Sequence, residues 1–215
     1  MAPGTGAVAL GTYVTAGDNA FACGETAIAS GGGSVAIGSE VTASNTYSLA
    51  IGTKAISDGF GSTAIGYDVY AGGDYGSFAE GNSTYSSGGS GSHAEGSNTF
   101  ANAMASHAEG VGSVTNGAAS HAEGRYTTAH SDDQHVQGKF NIGDSSAVYA
   151  HIVGNGTSDK ARSNAHTLDW DGNAWFAGNV YVGDANQGKG SKLMTEEEVQ
   201  ALIDAAIAAL SSNNE

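Results

Sequence analysis

The chain has 215 residues, of which 34 are glycine, one is proline and only 13% are charged, a composition that excludes an ordinary globular domain and a charged disordered chain. The net charge of −15 argues against nucleic acid as a partner, and no apolar run is long enough for membrane insertion. The single cysteine, Cys23, excludes a disulfide framework within the chain.

Residues 1–138 are predicted to form one repeat domain built on a five-residue phrase. The phrase reads SVAIG at residues 34–38 and becomes SHAEG in later copies, as at residues 92–96. Its terminal glycines recur every 14 or 15 residues, which suits one coil of a β-solenoid with two short strands and two tight turns. We therefore predict a β-roll of about ten coils.

The alternation of a strand decides which columns of the repeat lie inside the roll. The Ser, Ala and Gly positions of the phrase share one face and stay small, so we expect them inside, with alanines such as Ala36 at the centre. The positions between them then point outward. This places an apolar stripe on the outer surface, which predicts contact with another copy of the chain. The stripe consists of Val35, Ile37, Leu49, Ile51 and Ile65, and Cys23 occupies the same column.

The outward positions of the SHAEG phrases predict a polar continuation of this stripe. It contains the SHAEG histidines (His93, His107 and His121) and the SHAEG glutamates (Glu95, Glu109 and Glu123). The phrase HAE also begins a zinc-deaminase signature, but the PCxxC half is missing from the chain. We expect these residues to form hydrogen bonds between chains that set the register, and a bound metal or anion is the alternative.

A second column is predicted at the centre of the shorter strands, where Tyr70, Tyr85 and Phe100 follow one another in consecutive coils. Such a ladder could stack on sugar rings as a surface binding site, or pack as a seam against a neighbouring chain. The seam is favoured because apolar ladders are usually buried.

The SVAIG repeat resembles the left-handed parallel β-roll head of trimeric autotransporter adhesins. The SHAEG form, and residues 150–183 beginning AHIVGNGTSD, look like tail-fibre proteins of phages and prophages of Gram-positive bacteria. The resemblance implies that the Val/Ile face points at a three-fold axis. A complete autotransporter would also have a signal peptide and a C-terminal barrel anchor, and we expect neither here.

Residues 139–183 are predicted to form a small β neck that caps the open end of the roll. Trp170, Trp175, Phe176 and Tyr181 would supply its bulk, and Asp171-Gly172 predicts a hairpin turn. Residues 184–194 are predicted to be a linker.

Residues 195–212 are predicted to form a C-terminal coiled-coil helix. Thr195 and Glu198 have the spacing of a capping box. The spacing of Val199, Ile203, Ala206 and Leu210 follows an a/d pattern, which predicts a short helix clamp on an already trimeric stem.

Together these features predict an all-β fold: a left-handed parallel β-roll solenoid, a small β neck and a short helix, assembled as a homotrimer. We expect the structural and receptor-binding segment of a phage or prophage tail fibre, located in the virion or another extracellular particle. Its partners would be a host cell-surface glycan or protein and other tail proteins. The alternative is a bacterial surface adhesin head.

An autoproteolytic fibre or glycan-cleaving tail protein is disfavoured, because Ser158, Ser163 and His166 of the neck have no evident catalytic partner. We therefore expect no enzyme and no cofactor.

Overall fold

The computed structural model describes residues 4–182 and 190–212, which fall into two compact units, Met1–Trp175 and Phe176–Glu215. In the first unit each coil supplies a five-residue strand and, up to β18, a two-residue strand. The five-residue strands are β1 (Val8–Thr12), β3 (Phe21–Glu25), β5 (Val35–Ser39), β7 (Leu49–Thr53), β9 (Thr63–Tyr67), β11 (Phe78–Asn82), β13 (His93–Ser97), β15 (His107–Val111), β17 (His121–Arg125) and β19 (His135–Lys139). The two-residue strands are β2 (Thr15–Ala16), β4 (Ile28–Ala29), β6 (Thr42–Ala43), β8 (Ile56–Ser57), β10 (Tyr70–Ala71), β12 (Tyr85–Ser86), β14 (Phe100–Ala101), β16 (Val114–Thr115) and β18 (Thr128–Ala129).

The strands of each kind pair in parallel with the strand one coil away, so that the chain builds two sheets. The register aligns equivalent positions of successive phrases: Val35 pairs with Leu49, and Ile37 pairs with Ile51. The predicted parallel β-solenoid is therefore confirmed.

The terminal glycine of the phrase is required by the close approach of successive coils. At Gly38 the φ angle is +139°, and a Cβ atom there would lie 1.8 Å from the carbonyl oxygen of Gly52. A Cβ atom at Gly52 would likewise lie 2.0 Å from the carbonyl oxygen of Gly66. Glycine recurs at this position because both the backbone conformation and the missing side chain are needed.

The core of the roll is thin, and small side chains fill it. The central alanines of the phrase, which sequence analysis placed inside, are fully buried: Ala36, Ala50, Ala64, Ala79, Ala94, Ala108 and Ala122. The hydroxyl of the buried serine that opens the phrase has a hydrogen-bond partner three residues earlier in the chain. Ser34 Oγ donates to the carbonyl oxygen of Gly31 at 2.7 Å, and Ser62 Oγ donates to the carbonyl oxygen of Gly59 at 2.7 Å. Buried polar groups need such partners, which explains serine at this position.

The five-residue-strand sheet continues beyond residue 138, where sequence analysis expected the repeat to end. Strand β20 (Tyr149–Asn155) pairs in parallel with β19 and adds a rung, so the solenoid has about eleven turns rather than ten. β21 (Asn164–Asp169) then pairs antiparallel with β20, and β22 (Ala174–Phe176) follows β21 in the sheet. The predicted turn at Asp171-Gly172 lies between β21 and β22.

The aromatic side chains expected to supply the bulk of the neck do not form a core within one chain. Trp170, Trp175, Phe176 and Tyr181 are each at least 50% exposed. Trp175 does contact Tyr149 of β20, with ring centroids 5.9 Å apart. The expectation of an aromatic core is therefore corrected: β22 has only three residues, all of them exposed, and is too short to bury these rings.

The second unit contains a two-stranded antiparallel sheet and a helix. β23 (Tyr181–Val182) pairs with β24 (Ser191–Lys192), and the helix α1 spans Glu196–Ser212. The predicted capping box is present: Glu198 N–H donates to Thr195 Oγ1 at 3.2 Å, and Thr195 N–H donates to Glu198 Oε2 at 3.1 Å. Residues 183–189, which include most of the predicted linker, lie outside the described residues.

Candidate functional site

The outward face of the five-residue-strand sheet carries the stripe that sequence analysis predicted. Leu49 and Ile51 follow Val35 and Ile37 in register, and Ile65 follows Ile51. These side chains are partly exposed in the single chain, with Ile37 at 37%. Cys23 pairs with Ile37 in the same column and is a free thiol. Their position at a three-fold axis stays a prediction.

Further along the same face, histidine rings stack into a continuous imidazole column. The rings of successive coils are 4.5 to 4.9 Å apart from His93 to His135, with planes within 13° of parallel. β20 extends the column by His151, 5.2 Å from His135, and His166 of β21 follows at 5.7 Å. We define the imidazole column as His93, His107, His121, His135 and His151.

The last members of this column were not predicted, because His151 and His166 fall in the segment assigned to the neck. A signal was present: HIVG at residues 151–154 matches HVQG at residues 135–138. The spacing of 16 residues between Gly138 and Gly154, instead of 14 or 15, obscured it.

A carboxylate column runs beside the imidazoles and consists of Glu80, Glu95, Glu109 and Glu123 in register. Three of the imidazoles approach the glutamate of the preceding rung: His107 Nε2 lies 3.9 Å from Glu95 Oε1, His121 Nε2 lies 3.7 Å from Glu109 Oε1, and His135 Nε2 lies 3.6 Å from Glu123 Oε1. His93 instead approaches the glutamate of its own strand, with Nε2 3.7 Å from Glu95 Oε2. These separations are too long for hydrogen bonds.

Four Nε2 atoms of the imidazole column are buried although the rings are partly exposed. Those of His93, His107, His121 and His135 have no hydrogen-bond partner among the described residues, whereas His151 Nε2 lies 3.2 Å from Gln137 Nε2. Burial lowers the pKa of His107, with the neighbouring imidazoles of His93 and His121 acting in the same direction and the glutamates opposing them. Burial also lowers the pKa of His121 and of His151. These rings are therefore held in their neutral form near neutral pH.

Two groups of aromatic rings line other surfaces of the roll. Tyr70, Tyr85 and Phe100 are in register as predicted, and the rings of Tyr85 and Phe100 stack at 5.2 Å. All three are partly buried, and their role as seam or surface site stays a prediction. A second group, the aromatic turn row, consists of Tyr47, Phe60 and Tyr75, with rings 5.8 and 5.6 Å apart. Its members are exposed by 66, 41 and 63%.

Comparison with known families agrees with the repeat geometry. Residues 16–40 and 43–68 match the YadA head domain repeat in two copies. Both matched segments lie in the first half of the roll, between β2 and β9. The resemblance to the β-roll heads of trimeric autotransporter adhesins is thereby confirmed, and it indicates an adhesin-like fibre head. No curated protein matches the chain.

YadA heads form trimers and are typically non-enzymatic, which supports the predicted homotrimer. The predicted helix clamp lies in α1, where Val199 and Ile203 are exposed by 43 and 46% and Ala206 is also exposed. The side chain of Leu210 lies outside the described residues. Among residues 4–182 and 190–212, no helix is both long enough and apolar enough to cross a membrane.

Proposed function

We propose that this protein is the structural and receptor-binding segment of a homotrimeric phage or prophage tail fibre that attaches to a host cell surface. The observation that carries the proposal is the outward face of the five-residue-strand sheet. Apolar residues and then imidazoles and carboxylates follow one another in register along this face. A row of this length needs a partner with the same repeat, and a second copy of the chain supplies it.

In the trimer, the apolar stripe and the SHAEG histidines and glutamates face the axis. Apolar side chains lose water there, and imidazole N–H groups donate to carboxylates of neighbouring chains. The apolar side chains of the three α1 helices pack together as a clamp. Light scattering of the full chain at micromolar concentration tests the assembly. We expect three times the chain mass of 21.3 kDa, and a monomer would overturn the proposal.

Receptor attachment is assigned to the aromatic turn row, because exposed rings stack on sugar faces. The labelled full chain should bind Gram-positive cells, and soluble cell-wall glycan should compete with this binding. Replacing Tyr47 and Tyr75 by alanine should lower the bound fraction at least fivefold. Tyr13→Ala is the matched control, since this tyrosine is 82% exposed and lies outside the row. Equal binding by the control and the double variant would overturn the assignment.

The runner-up function is a bacterial surface adhesin head, which the YadA head domain repeats favour. Binding to animal cells or matrix proteins, but not to bacterial cells, would replace the tail-fibre proposal by this one. Genes beside the coding sequence give a second test: tail genes support the fibre, and secretion genes support the adhesin.

We infer that the protein is not an enzyme. Ser163 Oγ donates a hydrogen bond to Asn155 Oδ1 at 2.6 Å. Its hydroxyl proton is therefore held by an amide oxygen and not by a histidine base. The purified chain should remain a single band of full length after long incubation, and specific cleavage in the neck would contradict this inference.

A further inference from the structure

The SHAEG rungs bring imidazole and carboxylate groups together in a pattern that suits a metal ion. Two overlapping clusters have all their ligand atoms within 4.8 Å of one another: His93, Glu95 and His107, and then His107, Glu109 and His121. Imidazole with carboxylate is a ligand set for Zn²⁺ and neighbouring divalent ions. We propose that these clusters bind a late first-row divalent cation, with Zn²⁺ as the representative, between two imidazoles of adjacent rungs and the carboxylate beside them.

The separations between ligand atoms fit a shared ion better than direct hydrogen bonds. In the first cluster, Glu95 oxygens lie 3.7 Å from His93 Nε2 and 3.9 Å from His107 Nε2. In the second, Glu109 Oε1 lies 3.7 Å from His121 Nε2. Two ligands on one tetrahedral ion, each bonded at about 2.0–2.2 Å, lie roughly 3.3–3.6 Å apart. The distances between glutamate and histidine atoms are within a few tenths of an ångström of this range. The two imidazoles of a cluster are stacked with ring centroids 4.5 or 4.7 Å apart, so they turn about their side-chain torsions to direct both Nε2 atoms at one ion.

The nitrogen atoms that would bind the ion have no hydrogen-bond partner in the part of the chain that the structure describes. The Nε2 atoms of His93, His107 and His121 are buried there without one. Buried polar atoms normally have one, so each of these atoms calls for an explanation. A histidine binds a metal ion only as the neutral imidazole. Burial lowers the pKa of His107 and of His121, which favours this neutral form. The net charge of −15 also favours a cation.

His107 belongs to both clusters, and this sharing limits how many ions they hold. The Nε2 atom of a neutral imidazole has one lone pair and binds one ion. The two clusters therefore compete, and together they bind one ion per chain. With three protein ligands, water completes the tetrahedron.

The proposed site does not depend on the proposed trimer. Every ligand atom of a cluster comes from one chain, so a single chain has the complete set. Failure of metal binding would leave the trimer proposal intact, and a monomeric mass in light scattering would leave the metal proposal intact.

Calorimetric titration of the full chain with Zn²⁺, after treatment with EDTA and dialysis, tests the proposal. We expect saturable binding, and Co²⁺ in place of Zn²⁺ should give the visible absorption of a tetrahedral ion. His107→Gln removes a ligand from both clusters and should weaken binding at least tenfold. His93→Gln leaves the second cluster complete and should weaken it no more than twofold to threefold.

His130→Gln is the matched control, because His130 is exposed and lies outside the imidazole column. It should bind Zn²⁺ like the wild type. If circular dichroism shows that His107→Gln does not fold, the double variant Glu95→Gln, Glu109→Gln is tested instead. Glutamine keeps the shape of the glutamate side chain, and this variant should also bind Zn²⁺ at least tenfold more weakly. Absence of saturable binding by the wild type would overturn the proposal, and so would wild-type affinity in His107→Gln or in the double glutamine variant.

Discussion

Replacing Gly38 by alanine should strongly destabilise the roll, and the structure supplies the magnitude. The backbone at Gly38 has a φ angle of +139°, and an added Cβ would lie 1.8 Å from the Gly52 carbonyl oxygen. Real Cβ contacts are essentially never shorter than 3.0 Å, so the two coils must separate by about 1.2 Å. Backbone strain of this kind costs about 1–3 kcal/mol.

Separation of the coils also weakens the backbone hydrogen bonds that join β5 to β7. Two such bonds contribute about 1 kcal/mol each. The total loss in the free energy of unfolding is therefore roughly 3–5 kcal/mol. For a chain of this size, that corresponds to a fall in the melting temperature of roughly 6–20 °C.

Thermal and urea unfolding followed by circular dichroism measures this loss. Gly32→Ala is the matched control, because no atom lies within 4 Å of its added Cβ and its φ angle is not in the left-handed region. It should change the free energy of unfolding by no more than about 1 kcal/mol. Equal stability of Gly38→Ala and Gly32→Ala would refute the argument that close approach between coils selects glycine.

Three further predictions concern assembly and pH. Deleting residues 195–215 should slow trimer assembly after refolding but leave a trimeric roll, because the solenoid contains most of the burial; light scattering that finds no trimer at any time would contradict this. Replacing the SHAEG histidines by valine and the SHAEG glutamates by isoleucine should keep a trimer of at least equal thermal stability, whereas replacing the histidines alone should lower the melting temperature, because the carboxylates lose their partners. Burial lowers the pKa of His151 in the folded chain, and the neighbouring His135 and His166 act in the same direction, while Glu123 opposes them. As the pH falls, the unfolded chain therefore binds this proton before the folded chain does. The free energy of unfolding should therefore decrease as the pH falls below about 6.5, the pKa of an unperturbed histidine. His151→Asn should show a smaller decrease in unfolding experiments between pH 8 and pH 5.

The sequence alone determined the coil and its faces, because a strict short repeat leaves little freedom. When every coil has the same phrase, parallel pairing places equivalent residues in register, as Val35 and Leu49 are. The two-residue alternation then assigns each column to the inside or the outside, and the full burial of Ala36 confirms it. The helix cap at Thr195 was equally readable, because capping is a local interaction.

Tertiary structure decided the features that depend on contacts between rungs. The eleventh rung and the extension of the imidazole column by His151 follow from backbone pairing of β19 with β20, which the altered spacing concealed. The sequence placed His93 and Glu95 on one face, but the approach of His107 to Glu95 across rungs depends on side-chain rotamers and the stacking of rings. Likewise, the aromatic residues of the neck looked like a core, but among the described residues they are exposed, and β22 is too short to bury them. Composition and period specify local geometry, whereas the distances between side chains of different coils are set only when the coils stack.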